Sequence, residues 1–328
     1  MSFERAVDLV KRGRRFLVAC HRRPDADALG SALGFAAIVR ALGKEARVFV
    51  PEPLPETVRF LAEGREVVAD LPQGSRFDAT FLMDTAAEAL LPEGFPSADV
   101  SGPVVVLDHH AAHDQFGDVV VRDAEAAATG EVVVRLAEAL GFREVPGEAA
   151  APLYAALVAD TGGFRYPGTT AATMRLGAAL VEAGADPWST AYHLFEDWTW
   201  PRLKLLRDVL DTIELELDGR LATMRVSREM LGRNGATDDL VEGLVNYGRM
   251  VRGVEVAALV WEQEPRGSGG GPVTKVSLRS RGPIDVSAIA VALGGGGHRG
   301  AAGALVEDGL DETAARVRDE AARLLGAS

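Results

Sequence analysis

Residues 16–34 read FLVACHRRPDADALGSALG, and the rest of the chain is organised around them. Phe16–Cys20 is a short apolar run of the kind that a buried parallel strand uses. Directly after it come His21, Pro24, Asp25 and Asp27. Pro24 disfavours helix at Arg23, so the segment is expected to be a loop at the strand's carboxyl edge. In an extended loop Asp25 and Asp27, two residues apart, point the same way, with His21 folding back beside them. Gly30 and Ser31 then mark a tight turn and the start of a helix that runs to about Leu42. Ligands of open α/β sheets bind at this edge, and one imidazole with two carboxylates suits a divalent metal. Taken alone, the stretch reads equally well as a polar turn with an Asp N-cap. The rest of the chain decides between them.

At 328 residues, 47% of them hydrophobic, the chain has room for two domains. A net charge of −13 and a pI near 5.0 argue against a protein that grips long duplex DNA through its phosphates. Residues 213–328 carry 14 Lys and Arg against 17 Asp and Glu, a net −3, which leaves −10 for the first 212. Most of that acidity is solvated surface. A single cysteine rules out a disulfide framework and fits a reducing compartment. The opening MSFERAVDLVKRGRRF reads as an amphipathic helix without an apolar signal segment, and no later segment approaches membrane-spanning length. A soluble cytoplasmic protein with no membrane partner is expected.

The first half alternates strand and helix signals, as a doubly wound, mainly parallel sheet does. Strands are expected at Arg15–Cys20, Arg47–Val50, Ala79–Met83, Val104–Leu107 and Asp118–Val121. Helices are expected at Glu56–Ala62, Thr129–Leu140, Ala149–Asp160 and Thr170–Ala183. Residues 188–212, rich in tryptophan, read as a helical connector between a first domain at 1–187 and a smaller α/β domain at 213–328. In the latter, Asp218-Gly219-Arg220 turns between two alternating strands. A helix at Asp238–Met250, strands at Val254–Trp261 and Val273–Arg281, a helix at Val286–Leu293 and a final strand–helix pair follow. Pro265–Pro272, PRGSGGGP, reads as a flexible hairpin loop, since no helix follows it as a phosphate-binding loop requires.

Three further apolar segments end abruptly in acids: Thr80–Met83 in Asp84, Val104–Leu107 in Asp108-His109-His110, and Leu153–Ala159 in Asp160. One such Asp is commonly a turn residue; four opening towards one sheet edge form a constellation. In the second domain, Gly294–Gly297 with His298 and Arg299 form a loop that allows close backbone approach to a phosphate. Arg279 and Arg281, two apart on a strand, share a face, whereas Ser280 points the other way. His193 in the connector reads as structural, and Arg165 and Tyr166 as either cleft-lining or packing residues.

HRRPDADALGS, LMDTA, LDHH and ADTGGFRY stand in the order and spacing of the four motifs of the DHH phosphoesterase family, and GGGGHRGAAG resembles the signature of its DHHA1 subfamily. The resemblance covers nearly the whole chain and is closest to the nanoRNase/pAp-phosphatase branch. It implies two α/β domains facing each other across a cleft. It also implies one divalent cation held by His21, Asp25 and Asp84 and another by Asp27, Asp84, His109 and Asp160. Carboxylate and imidazole ligands without thiolate suit Mn²⁺, with Mg²⁺ or Co²⁺ as substitutes. Asp108 is expected to orient a histidine ligand by accepting its other N–H, and the resemblance sets His110 against the scissile phosphate. His113 falls where many members have Asn and is read as peripheral. Arg279, Arg281, Gly296, Gly297, His298 and Arg299 are the implied substrate-binding residues.

The activity so implied is hydrolysis of very short RNA to mononucleotides and of 3′-phosphoadenosine 5′-phosphate (pAp) to AMP. Hydrolysis of linear pApA or cyclic di-AMP is the alternative within the family. A nucleotide-sensing module that has lost catalysis is the alternative outside it, although none of the six ligand positions is degraded. The sequence leaves a homodimer open.

Overall fold

The computed structural model describes residues 2–110, 114, 116–264 and 271–326; the side chain of His298 lies outside that description. The chain divides into two compact units, Met1–Asp197 and Trp198–Ser328. The boundary falls within the stretch expected to be a connector. A short helix at Pro187–Ala191 and a π-helical turn at Tyr192–Glu196 belong to the first unit, and the helix Trp200–Leu210 to the second.

In the first unit six strands, β1 (Arg15–Cys20), β2 (Glu45–Phe49), β3 (Val67–Val68), β4 (Ala79–Met83), β5 (Val104–Asp108) and β6 (Val119–Arg122), form one sheet in the order β3-β2-β1-β4-β5-β6. Every neighbouring pair is parallel. This is the strand order of a doubly wound sheet. Its register fixes the site: Cys20 pairs with Met83 and Met83 with Leu107, so His21, Asp84 and Asp108 leave the same edge side by side. The principal helices α1 (Ser2–Arg12), α2 (Ala26–Ala41), α3 (Thr129–Ala139) and α4 (Gly147–Asp160) bury their apolar sides with Phe16, Val18, Phe81 and Leu107 on one face. The other face, built on Leu17, Ala19, Leu82 and Val106, is covered mainly by side chains from connecting segments, among them Phe77, Leu71, Leu91 and Phe95. A cavity of about 820 Å³ opens among those segments, between residues 49–53, 69–76 and 93–100.

The helix expected to start at Ser31 begins five residues earlier. Asp25 is its N-cap, accepting the Ala28 N–H at 3.0 Å, so Asp27 lies in the first helical turn and not in an extended loop. Gly30 and Ser31 are buried mid-helix. Gly30 makes no turn: a Cβ there would sit 2.4 Å from the Pro152 carbonyl oxygen, and glycine lets α2 close on α4. Arg23, before Pro24, adopts φ 52°, left-handed where extended backbone was expected.

The second unit holds the strands β7 (Glu214–Glu216), β8 (Leu221–Val226), β9 (Val256–Gln263), β10 (Val273–Ser280), β11 (Gly296–His298) and β12 (Ala301–Val306), in the order β11-β12-β10-β9-β8-β7. All its pairs are antiparallel except β8–β9. Ser287–Ala292 and Leu310–Leu325 pack on one face, and Trp200–Leu210, Arg228–Asn234 and Val245–Met250 on the other. Arg228–Asn234 was not anticipated, although Ser227 caps it by accepting the Met230 N–H at 3.1 Å. The expected helix Asp238–Met250 is broken at Gly243, φ 83°, into a 3₁₀ turn and a short α-helix. Residues 265–270 of the expected hairpin loop lie outside the described residues. No helix among the described residues is long and apolar enough to cross a membrane.

Candidate metal centre

Five acids and three histidines meet at the carboxyl edge of the first sheet. His21 follows β1, Asp84 follows β4, and Asp108, His109 and His110 end or follow β5; Asp25 and Asp27 open α2, and Asp160 closes α4. Three groups bring one ligand atom from each member within 4.8 Å of one another: His21–Asp25–Asp84, Asp27–His109–Asp160 and Asp84–His109–His110. Asp25 and Asp27 therefore serve different clusters. Helical twist, in place of the expected extended loop, turns their side chains apart.

Each carboxylate oxygen of Asp84 faces a different histidine. Its Oδ2 lies 3.6 Å from His21 Nε2 and its Oδ1 3.6 Å from His109 Nε2. Its backbone is left-handed, φ 53°, a conformation that costs a non-glycine residue of order 1–3 kcal/mol. The Asp84 N–H donates to the Leu107 carbonyl at 2.9 Å and ties this turn to the neighbouring strand.

Both histidines are oriented from behind by the backbone. His21 Nδ1 lies 2.9 Å from the Arg22 carbonyl and His109 Nδ1 3.1 Å from the Ala126 carbonyl, so each presents Nε2 to the acids. Asp108, expected from the sequence to orient a histidine ligand, meets His110, a member of the Asp84–His109–His110 group. Its Oδ1 lies 2.7 Å from His110 Nδ1. His109, next to Asp108 in the chain, has the Ala126 carbonyl at its Nδ1.

Burial works against charge on both rings, but the acids prevail. The hydrogen bond to Asp84 and the charges of Asp25 and Asp84 push His21 up to about 9. Contact with Asp160 and the charges of Asp27, Asp160 and Asp84 push His109 up to about 11. Burial resists ionisation of Asp84 as well, yet His21, His110 and His109 hold its pKa down. Burial, reinforced by Asp84 and Asp160, drives Asp27 well above the carboxylate range. Cys20 stays a buried thiol, its pKa pushed up by burial and by Asp25, Asp84 and Glu52. The donor set is carboxylate and imidazole without thiolate, and the His/Asp clusters fit divalent metal binding.

A segment without a sequence flag supports the cluster. Thr129 and Gly130, at the start of α3, donate their amides to Asp27 at 2.7 and 3.1 Å, and the Thr129 hydroxyl donates to Asp84 Oδ1 at 2.8 Å. The only trace of this in the chain is a small-residue run, AEAAATGE, before a helical pattern.

In the second unit, Gly296, Gly297 and His298 are not loop, as expected, but the strand β11, paired with Gly303, Ala302 and Ala301. Their glycines answer a steric demand: a Cβ on Gly295 would lie 2.1 Å from the Gly303 oxygen, and one on Gly297 2.6 Å from Ala302 Cα. Arg299, at the hairpin turn, donates to the Pro283 carbonyl. Arg279 lies in β10 and donates to the Leu278 carbonyl at 3.0 Å; Arg281, one residue past the strand, donates to the Arg249 carbonyl at 2.6 Å. Ser280 is buried with its hydroxyl on the Arg299 carbonyl, which brings these arginines to one end of the sheet. His193 stacks on Phe60 and meets Asp197, and the Arg165 guanidinium lies over Phe195. His113 lies outside the described residues.

Residues 15–159 match the DHH family, N-terminal domain, and residues 218–327 the DHHA1 domain. The bifunctional oligoribonuclease and PAP phosphatase NrnA of Thermus thermophilus is 35% identical over 298 residues, covering 90% of this chain and 84% of its own. The protein of the same name from Bacillus subtilis is 27% identical over 297 residues, 87% of each chain. An exopolyphosphatase-related protein from Bacteroides fragilis shares the fold, with a TM-score of 0.86 over 98% of this chain and 95% of its own at 24% identity. Strand-end acids, the DHH sequence at 108–110 and relatives that match along most of their length lead to one conclusion: the chain belongs to the DHH family of phosphoesterases, and its second half is a DHHA1 domain.

Proposed function

We propose that this phosphoesterase uses two divalent cations to hydrolyse very short oligoribonucleotides to mononucleotides and pAp to AMP. The observation that carries the reading is Asp84, whose two oxygens lie 3.6 Å from Nε2 of two different histidines, as a ligand shared by two cations requires. The NrnA relatives, named for oligoribonuclease and PAP phosphatase activity, support the choice of substrate.

In this reading His21, Asp25 and Asp84 hold one cation and Asp27, Asp84, His109 and Asp160 the other. Mn²⁺ is the first choice for such donors, with Mg²⁺ or Co²⁺ able to substitute. When bound, two such cations supply Lewis-acid stabilisation of phosphoryl charge and lower the pKa of water. The Asp108 contact at 2.7 Å fixes the His110 ring through Nδ1. Nε2 is then the ring atom that would donate to a phosphoryl or leaving oxygen. Arg279, Arg281 and Arg299, with the backbone of Gly296 and Gly297 and with His298, take the base and the remaining phosphate.

The test is a substrate panel with purified protein and Mn²⁺: pAp, pApA, cyclic di-AMP, RNAs of increasing length, long single-stranded DNA and pyrophosphate. Turnover of pAp and of two-to-four-nucleotide RNA, falling with length and lost on chelation, is expected. Preference for cyclic di-AMP, long DNA or pyrophosphate would overturn the substrate assignment, and full activity in chelator would overturn the metal.

A further inference from the structure

Asp27 opens α2 and Asp84 follows β4, yet one dipeptide, Thr129-Gly130, holds both. Thr129 and Asp27 have no exposed surface and Asp84 almost none. A carboxylate offers about four lone-pair directions. Asp27 spends three of them inside the protein: the Ser31 hydroxyl at 3.0 Å and the Gly130 amide at 3.1 Å on Oδ1, and the Thr129 amide at 2.7 Å on Oδ2. The fourth belongs to Oδ2, which lies 3.6 Å from His109 Nε2.

Asp84 is held differently. Its Oδ1 accepts the Thr129 hydroxyl at 2.8 Å and lies 3.6 Å from His109 Nε2 and 3.5 Å from His110 Nδ1. The hydroxyl fixes the roll of this carboxylate about its Cβ–Cγ bond. That roll decides whether the two oxygens serve two clusters or one. Glycine at 130 lets the start of α3 pack closely on α4, since a Cβ there would meet the Ala156 Cβ at 3.0 Å.

We propose that Thr129 is a positioning residue of the metal centre. Its amide directs the last lone pair of Asp27, and its hydroxyl sets the roll of Asp84. The inference rests on the two-cation reading above. It assigns Thr129 no contact with substrate or cation.

Thr129→Val keeps the shape and the amide and removes the hydroxyl; Thr129→Ser keeps the hydroxyl and drops a methyl. Metal-stripped wild type and both variants would be titrated with Mn²⁺ by calorimetry, with thermal unfolding in chelator recorded alongside. Wild type is expected to bind two Mn²⁺. Thr129→Val should unfold in chelator close to wild type but bind at least one Mn²⁺ about 10–100-fold more weakly, the usual cost of losing an outer partner of a ligand. Thr129→Ser should recover most of that loss. With substrate, Thr129→Val should lower kcat and leave KM nearly unchanged. If valine does not fold, Thr129→Ala is compared with serine in the same way. Wild-type titration by the hydroxyl-free variant would overturn the proposal. So would a serine variant as weak as valine with both unfolding early in chelator, which is a packing defect. A wild type that binds no Mn²⁺ would instead overturn the two-cation reading, before any variant is compared.

Discussion

Asp84 combines a left-handed backbone, deep burial and a carboxylate divided between two histidines. A residue so placed acts on both clusters at once, so its loss should be felt beyond the 10–100-fold typical of an outer partner. Asp84→Ala is expected to lower kcat more than about 100-fold with the fold retained, checked by steady-state kinetics and circular dichroism. Arg281 makes the opposite case. It is exposed, and its side chain donates to the Arg249 carbonyl. Arg281→Ala should raise KM and leave kcat nearly unchanged, the pattern of lost uniform binding. A comparable fall in kcat would move Arg281 into the chemistry.

Helix α2 shows where the sequence was legible and where it was not. The apolar runs before His21, Asp84 and Asp108 announced buried strands, because a strand fully covered on both faces needs nothing but apolar residues. Asp25 and Gly30 were ambiguous locally: an N-cap and a turn use the same residue types, and only the Pro152 carbonyl against Gly30 reveals a helix interior. Thr129 was invisible for the same reason, since its partners lie 45 and 102 residues away and all three donors, two backbone amides and one hydroxyl, are groups common everywhere. The Gly30 contact gives a sharp test. Gly30→Ala places a methyl 2.4 Å from a backbone oxygen in a helix–helix seam and should destabilise the protein by about 1–3 kcal/mol, despite alanine's better helix propensity. Denaturant unfolding measures it; a stabilised variant would mean that α2 and α4 part easily.

The helix Trp200–Leu210 offers a pH test in the second unit. Asp208 accepts from Asn234 Nδ2 at 2.6 Å, from Arg207 Nη2 at 2.7 Å and from Arg233 Nε at 2.9 Å. The Asn234 contact first, and then the two guanidiniums, hold its pKa down to about 2. An unfolded Asp titrates near about 3.9. A depressed folded pKa contributes stability that is present above the unfolded value and lost as pH falls through the folded one. Asp208→Asn should therefore be less stable than wild type at pH 6, with the gap narrowing from about pH 4 down to pH 2. Urea titrations at several pH values read the gap, and a constant difference would show that packing, not charge, is what Asp208 supplies.

Across the whole molecule the two units carry the net charge unequally, −11 on residues 1–197 and −2 on residues 198–328, and the crowded acids belong to the first. Divalent cations should therefore raise the unfolding temperature of the first unit selectively, because a ligand bound only by the native state stabilises that state. Calorimetry with Mn²⁺ and with chelator checks this, and Asp84→Ala should abolish the shift. The uneven cover of the first sheet bears on how the protein moves. Helices α2, α3 and α4 seal one face, whereas connecting segments around an 820 Å³ cavity cover the other. Regions with few buried apolar contacts open at low free energy, ahead of global unfolding. Amide hydrogens at 67–78 and 91–103 should exchange with deuterium sooner than those of α2 and α4. The sheet would then breathe on the side away from the helices that carry Asp27 and Asp160, and the ligand cradle would keep its geometry through fluctuations that loosen its own domain.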